Sequence, residues 1–331
     1  MLNLTKEQIT KWLELEENDF HIDKFRQKHE ISPESSTLYV TLGRLVEEKK
    51  LKRVSRGWYR KVKELRAIEW WEYDQEEALP IVWPYGADDN SSFEFDQNIE
   101  VMKGDLIVIA GVSNMGKTCF ALNFLVNNLS ILDGHARLMG NEYKPVRFAF
   151  RIKRMAEAYN AQIWNSDKQP RFDLLPVTQN HADYIVRDKL NIVDWINIRG
   201  EFYAIGGTLE DIQAEVGNGL ALIVLQKSRG KSMGMGGDFG AFTPSVYMTI
   251  DPLGKGAARL NVLKVKSTPP EGMRPEGKMY GFSIVDRGSK FHNIREIKTC
   301  PACRTSGYVH GDYCDKCQGL GYVDVPPSSE F

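Results

Sequence analysis

The sequence predicts an α/β protein. A mostly parallel sheet flanked by helices is preceded by a small helical domain ending in a hairpin and followed by a small cysteine-rich module. Three observations predict it. A glycine-containing loop joins an apolar, strand-length run (Asp105 to Ala110) to an amphipathic helical run starting at Cys119. Further strand-length apolar runs, Ile192 to Ile196 and Ala221 to Gln226, alternate with helical stretches, as parallel strands joined by crossovers do. Four of the five cysteines, Cys300, Cys303, Cys314 and Cys317, fall in the last tenth of the 331-residue chain.

At about 150 residues per domain this length accommodates two domains and a small third. With 43 basic and 44 acidic residues the net charge is −1, which excludes a histone-like binder of nucleic acid by bulk charge. Any basic surface must be local. Apolar runs never approach the roughly 20 residues of a membrane span, and the N-terminus lacks the apolar stretch of an export signal. The expectation is a soluble, cytoplasmic protein with no membrane partner. Cysteines bunched at one end argue against a disulfide scaffold and for a metal site in a reducing compartment.

Residues 1–63 read as three helices and a hairpin. Thr5 is a candidate cap for the first helix, with Ile9, Trp12 and Leu13 on one face, and a second runs near Ile22 to His29. Ser32-Pro33 has the signature of a third helix start, after which Leu38, Leu42, Leu45 and Val46 form an apolar stripe. Leu51 to Val62 reads as strand, glycine turn, strand. The arrangement resembles a winged helix. From Lys49 to Lys63 eight of fifteen residues are basic and none is acidic, a patch suited to phosphates. Lys52, Arg53, Arg56 and Arg60 are its candidate nucleic-acid contacts; a solvated wing that docks protein partners is the alternative. Residues 64–97, with Trp70, Trp71, Trp83-Pro84 and a polar run from Ala87 to Ser92, read as a linker packing partly on its neighbour.

Gly111-Val112-Ser113-Asn114-Met115-Gly116-Lys117-Thr118 matches G-x-x-x-x-G-K-[ST] between a strand and a helix. Glycines let backbone N–H groups face phosphates, Lys117 reaches the β/γ-phosphates, and Thr118 offers a hydroxyl to Mg²⁺. ATP or GTP binding follows, with the helix dipole assisting. Polar residues at later strand ends are candidates for the remaining chemistry. Asp194 among apolar strand residues suits a Mg²⁺-supporting carboxylate, Glu142 suits activation of the attacking water, and Gln226 suits sensing of the γ-phosphate. Ordinary strand-end polarity is the alternative for all three.

With these residues in place, the segment from about 98 to 296 resembles the RecA-like ATPase core, nearest to the replicative-helicase (DnaB-type) and phage RecA-like branch. Glu142 with Arg151 nine residues on is similar to that branch's strand-end S-L-E-M motif and following arginine. Here the segment reads Met139-Gly140-Asn141-Glu142-Tyr143, so only the glutamate carries over. Asp194 resembles the Walker B acid, Gln226 the strand-end glutamine, and Thr208 to Val216 the helix between them. The glycine-rich, basic segment Lys227 to Gly240 occupies the place of the DNA-contacting loop of RecA-like proteins. Its candidate contacts are Lys227, Arg229 and Lys231 by charge and Phe239 (or Phe242) by base stacking; the alternative is a surface loop with no ligand. The resemblance also implies that basic residues on the strand Ala258 to Lys266 reach the neighbouring subunit's γ-phosphate. Lys264 and Lys266 stand where the helicase branch usually has Lys-x-Arg, and their role implies a ring or filament.

Cys300-x-x-Cys303 and Cys314-x-x-Cys317 have the spacing of a tetrahedral Zn²⁺ site, with Gly307, Gly319 and Gly321 at the turns. Cys314 to Gly321 resembles the DnaJ-type zinc knuckle, with one pair of knuckles and hence one zinc over residues 297–325. His310 is a competing ligand for a set that four cysteines already complete. Cys119 reads as a small buried residue of the phosphate-loop helix.

The sequence therefore predicts an oligomeric, Mg²⁺- and ATP-dependent motor or recombinase on DNA, single-stranded by preference, in phage or bacterial replication or recombination, together with replication partner proteins. The alternative is a DNA- or partner-binding regulator or helicase loader using its ATPase core as a nucleotide switch. A nucleotide kinase is a weaker third reading, for want of a lid or acceptor motif.

Overall fold

The computed structural model describes residues 5–16, 19–62, 78–132, 134–196, 204–254 and 256–326. The chain divides into two units, Met1–Gln75 and Glu76–Phe331.

In the first unit, α1 (Lys6–Glu14) opens on a capping box in which Thr5 and Gln8 exchange side-chain-to-backbone hydrogen bonds. β1 (Phe20–His21) and α2 (Ile22–Lys28) follow. α3 (Ser36–Glu47) starts later than Ser32-Pro33 would set it. The Ser32 hydroxyl accepts the Glu34 N–H and its carbonyl accepts the Ser35 N–H, so these residues close a turn and Ser35 takes the cap position. Beyond it the expected stripe holds: Leu38, Leu42 and Leu45 are buried with Ile9, Leu13 and Phe25. β2 (Leu51–Ser55) and β3 (Trp58–Lys61) form the hairpin, and β1 joins β3 to complete a three-stranded antiparallel sheet. Lys63, Trp70 and Trp71 lie outside the described residues.

The second unit begins with irregular chain that is nonetheless core. Leu79, Trp83, Phe93, Phe95, Ile99 and Val101 are buried, Trp83 edge-on against Phe95 and Phe124. Then come β4 (Leu106–Gly111), α4 (Lys117–Asn127), β5 (Ala136–Met139), α5 (Pro145–Ala158), β6 (Phe172–Leu175) and β7 (Leu190–Val193). They are followed by α6 (Ile205–Val216), β8 (Leu220–Gln226), the short α7 (Phe239–Phe242), β9 (Val246–Gly254), β10 (Ala257–Val265), β11 (Met279–Val285) and β12 (Lys290–Thr299). β13 (Tyr308–Val309) and β14 (Asp312–Tyr313) make a small hairpin before β15 (Tyr322–Asp324).

Ten strands form one sheet in the order β15-β12-β11-β10-β9-β4-β8-β7-β5-β6. The six from β9 to β6 are parallel, and β10, β11, β12 and β15 are antiparallel additions. The central strands are apolar throughout because both faces are covered. Ile107, Ile109, Leu222 and Val224 pack beneath α4 and α5, whereas Leu106, Val108, Ala110, Ile223 and Leu225 pack beneath α6. β8 lies between the phosphate-loop strand β4 and β7, and the second unit is an α/β fold with a mostly parallel sheet flanked by helices, as expected. This insertion matters for the site, because it spaces the loop from the carboxylates at the ends of β7 and β5.

Candidate nucleotide site

β4 ends at Gly111, and Gly116 caps α4 with φ +107°. The positive φ requires glycine there, and a Cβ would in addition displace the Ile284 Cδ1 methyl, 2.3 Å away. The first N–H groups of α4 have no intrahelical acceptor and point with the helix dipole toward the loop, an arrangement made for an anion. Lys117 is 6% exposed; its Nζ donates to Val112 O (3.0 Å) and Gln226 Oε1 (3.2 Å). Burial pulls its pKa below the ordinary lysine value, against the opposing pull of Asp194 and Glu142.

Strand register delivers the other residues. Gly111 pairs with Gln226, so the glutamine stands beside the loop, where Ser113 Oγ donates to its Oε1 at 3.4 Å. Met139 pairs with Val193, and the Asp194 N–H donates to Met139 O (2.8 Å), which brings the segment after β5 beside Asp194. Asp194 follows the last residue of β7 rather than interrupting the strand and is 5% exposed. Tyr143 Oη donates to its Oδ2 at 2.5 Å. Its Oδ1 is buried with no hydrogen-bond partner among the described residues. Desolvation raises the Asp194 pKa, opposed by the Tyr143 and Thr118 hydroxyls and by the charges of Lys117 and Arg151. A buried carboxylate oxygen without a donor, beside a threonine hydroxyl, suits a hard divalent cation held by oxygen ligands. The residues present therefore fit Mg²⁺.

The phosphate loop, Glu142, Asp194 and Gln226 line one cavity of about 770 Å³, closed on another side by Pro252, Gly254 and Ala257 from the β9–β10 hairpin. Arg151 and Trp195 also line it. Arg151 donates through Nε and Nη2 to Gly288 O (3.1 and 2.6 Å). Sequence alone does not mark Tyr143 and Trp195: an aromatic beside a strand end carries no signal that separates a site from a core. The hairpin residues line the cavity with small side chains and backbone, which spacing does not reveal.

A second cavity, about 970 Å³, is formed by the glycine-rich loop, including Lys231, Met233 and Phe239. Four residues, Ser113, Glu142, Trp195 and Gln226, line both cavities. The loop is tied to β8 where Met235 N–H donates to Gln226 O (2.8 Å). Arg229 and Lys231 are exposed, and Phe239 and Phe242 are 52% and 68% exposed with their rings edge to face. Lys227 corrects the expectation. It is buried, and its ammonium pairs with Asp251, so it is not part of the loop's exposed charge.

Lys264 Nζ donates to Ala241 O (2.8 Å) and Phe242 O (2.9 Å), while Lys266 is exposed just past β10. Both lie at the end of the sheet opposite Gly111, beside Ser245. In the first unit Lys52, Arg53 and Arg56 are exposed, whereas the Arg60 guanidinium is held by Asp19 through contacts of 2.6 and 2.8 Å.

The four C-terminal cysteines converge, their Sγ atoms all within 4.8 Å of one another. Cys300 and Cys314 are 3.8 Å apart and Cys303 and Cys317 3.5 Å. Tetrahedral zinc–thiolate bonds of about 2.3 Å place sulfurs about 3.8 Å apart, so the cluster is compatible with Zn²⁺. A Cβ on Gly307 would lie 2.4 Å from Gly319 O, which is why these turns need glycine. His310 sits exposed at the hairpin turn, outside the cluster. Cys119 is fully buried and its thiol is pushed up to about 12.

No protein-family model and no curated protein matches the chain. Among solved structures, the chain is similar to a KaiC-like protein from the hyperthermophilic archaeon Pyrococcus horikoshii, at 16% identity and a TM-score of 0.46, over 64% of this chain and 98% of that one. At that identity and score the likeness does not extend to function. No helix among the described residues is long and apolar enough to cross a membrane.

Proposed function

We propose that the chain is an oligomeric P-loop ATPase acting on DNA, a motor or recombinase of the helicase-like RecA type, with single-stranded DNA at the glycine-rich loop. One observation carries the reading: Ser113, Glu142, Trp195 and Gln226 form a common wall between the nucleotide cavity and the cavity of the glycine-rich loop. A change at the γ-phosphate then moves groups that also shape the surface offered to DNA.

In this reading Lys117 holds the β/γ-phosphates and Asp194 with Thr118 holds Mg²⁺, which supplies charge neutralisation at the phosphates when bound. Glu142 accepts the proton of the attacking water. Gln226 releases Lys117 from its Oε1, donates through its Nε2 to a γ-phosphate oxygen, and passes the change to the loop through its backbone bond to Met235. Arg229, Lys231 and Phe239 meet the DNA. Lys264 and Lys266, remote from their own chain's phosphate loop, serve the neighbouring subunit's nucleotide. The first unit, as a winged helix with Lys52, Arg53, Arg56 and Arg60, adds a duplex or partner contact, and four cysteines hold one Zn²⁺.

The test is the ATPase rate with and without single-stranded DNA, for the wild type and Glu142→Gln. DNA should stimulate the wild type, and the variant should lose roughly 10²–10⁴-fold in turnover, the usual worth of a general base, while still binding nucleotide. Turnover that ignores DNA would sink the motor and leave the nucleotide-switch regulator or loader.

A further inference from the structure

A second charged cluster lies next to the strand-end glutamine and takes no part in the chemistry above. Lys227 follows Gln226 directly, its side chain 1% exposed and its ammonium paired with Asp251 of β9. The other Asp251 oxygen lies 3.2 Å from Asn261 Nδ2 and 3.7 Å from an Arg259 guanidinium nitrogen, both on β10. Arg259 in turn lies over the ring of Tyr322, 4.5 Å from its centroid. Tyr322 opens β15, the strand that leaves the second cysteine knuckle and adds to the sheet through Thr299.

The attachment of β15 depends on the knuckles. Gly321 N–H donates to Cys317 Sγ (3.2 Å), and Gly321 O accepts the Cys300 N–H (3.0 Å). Val323 packs on the four cysteines, which have little else for a core. A cluster this small is held by its ion, so the position of Tyr322 follows zinc occupancy. The knuckle also approaches the nucleotide cavity from outside: a Cβ added to Gly254, a residue of the cavity wall, would meet Leu320 Cδ2 at 3.4 Å.

We propose that Arg259 is a positioning residue through which the four-cysteine module, when it holds zinc, fixes the Asp251–Lys227 pair and with it the β8 end that carries Gln226 and the root of the glycine-rich loop. Zinc occupancy is then a determinant of nucleotide affinity, although no cysteine touches the nucleotide. A guanidinium released from its aromatic ring relaxes its hold on Asp251. The buried Lys227 ammonium then loses part of the order in its counter-charge, and a buried ammonium is sensitive to the order of its partner. The inference rests on the nucleotide reading of the cavity but on neither DNA binding nor hydrolysis.

The test uses the full chain and a fluorescent ATP analogue with Mg²⁺ present. Its affinity is measured before and after zinc is ejected by a thiol-specific reagent, in the wild type, Arg259→Ala, Arg259→Lys and Tyr322→Leu, with thermal melting to confirm that each remains folded. Ejection should weaken binding by roughly five- to tenfold in the wild type, the scale of one desolvated cation–π and ion-pair contact. Zinc-loaded Arg259→Ala should show the same weakening, and ejecting its zinc should add less than about twofold. Arg259→Lys should recover part of the loss by keeping a charge near Asp251. If Arg259→Ala does not fold, Tyr322→Leu removes the ring and leaves the ion pair, and should by itself blunt the response to zinc. An unchanged wild-type affinity after ejection, or equal losses in the wild type and the variants, would overturn the proposal. A zinc-loaded wild type that binds no analogue at all would overturn the nucleotide reading beneath it.

Discussion

The nucleotide cleft and the cysteine module both bury polar atoms, and they meet them in opposite ways. In the cleft Asp194 Oδ1 is buried with no donor among the described residues, Lys117 is buried with neutral acceptors, and the contact between Ser113 and Gln226 is a long 3.4 Å. In the module four sulfurs close on one point, glycine turns bring the knuckles together, and backbone N–H groups serve the sulfurs. The cleft carries charges that its own chain leaves partly unanswered, which suits a ligand that comes and goes. The module gathers four thiol ligands into a set compatible with a resident zinc ion. Desolvation is tolerated in the first case because binding relieves it, and avoided in the second because the site is complete.

The largest effect that separates the two is loss of a thiolate. Cys314→Ser should lower zinc affinity by at least about a hundredfold and free the segment from Cys300 onward to protease, as metal binding and folding are coupled in small metal modules. Cys119→Ser, on the helix that follows the phosphate loop, should leave zinc content unchanged. Zinc content after dialysis against a chelator, with limited proteolysis, checks both. Retention of a full zinc equivalent by Cys314→Ser would mean that a different residue completes the set.

Next in size is the stability held back by the cleft. Burial raises the Asp194 pKa above its ordinary 3.8. A carboxyl whose folded-state pKa is raised favours folding below its ordinary pKa and loses that contribution as pH climbs through the raised value. At neutral pH the charged form is therefore penalised. Asp194→Asn should stabilise the nucleotide-free protein by about 1–3 kcal/mol at pH 7, with the gain vanishing toward pH 4. The same variant should lose the extra stability that Mg-ATP confers on the wild type. Denaturant unfolding at the two pH values, with and without Mg-ATP, checks the sign. Destabilisation of the nucleotide-free protein at pH 7 would show that the Tyr143 and Thr118 hydroxyls more than offset the desolvation.

The same contrast explains what was legible in the sequence. The phosphate loop and the cysteine knuckles encode their chemistry in local spacing, so residues 111–118 and the four cysteines stand out, and the structure brings each set together. Glu142, Asp194 and Gln226 were legible as polar ends of apolar strands, and parallel register gathers them around the loop. The inward turn of Lys227 was not legible, because Asp251 lies 24 residues on and meets it only through sheet pairing. In a glycine-rich basic stretch, charge alone points outward. Residues 64–97 read as a linker for want of periodicity, yet Phe93 and Phe95 from that stretch fill the core beneath β11 and β12. α3 starts one turn after Ser32-Pro33 because both Ser32 and Ser35 are cap-type residues, and local hydrogen bonds at Ser32 close a turn there instead. β15 has three residues, too few for a periodic signal, and it joins the main sheet by pairing with Ile297 to Thr299 of β12.

The smallest expected effect is a matched pair of serine deletions, and it examines the contrast at the level of single hydrogen bonds. Ser306 Oγ lies 2.8 Å from the carbonyls of both Cys303 and Tyr308 and accepts the Tyr308 N–H at 3.2 Å, pinning the first knuckle to the hairpin that follows. Ser113 is exposed, and its Oγ makes a long contact to Gln226. An intramolecular hydrogen bond of ordinary geometry contributes about 1 kcal/mol net, and a long contact between groups that water can serve contributes far less. Ser306→Ala should therefore lower the melting temperature by about 2–4 °C, and Ser113→Ala should move that of the nucleotide-free protein by no more than about 1 °C. Equal shifts would mean that the cleft is as tightly knit without its ligand as the module is, and the contrast between a site that waits and a site that is complete would fail at its simplest point.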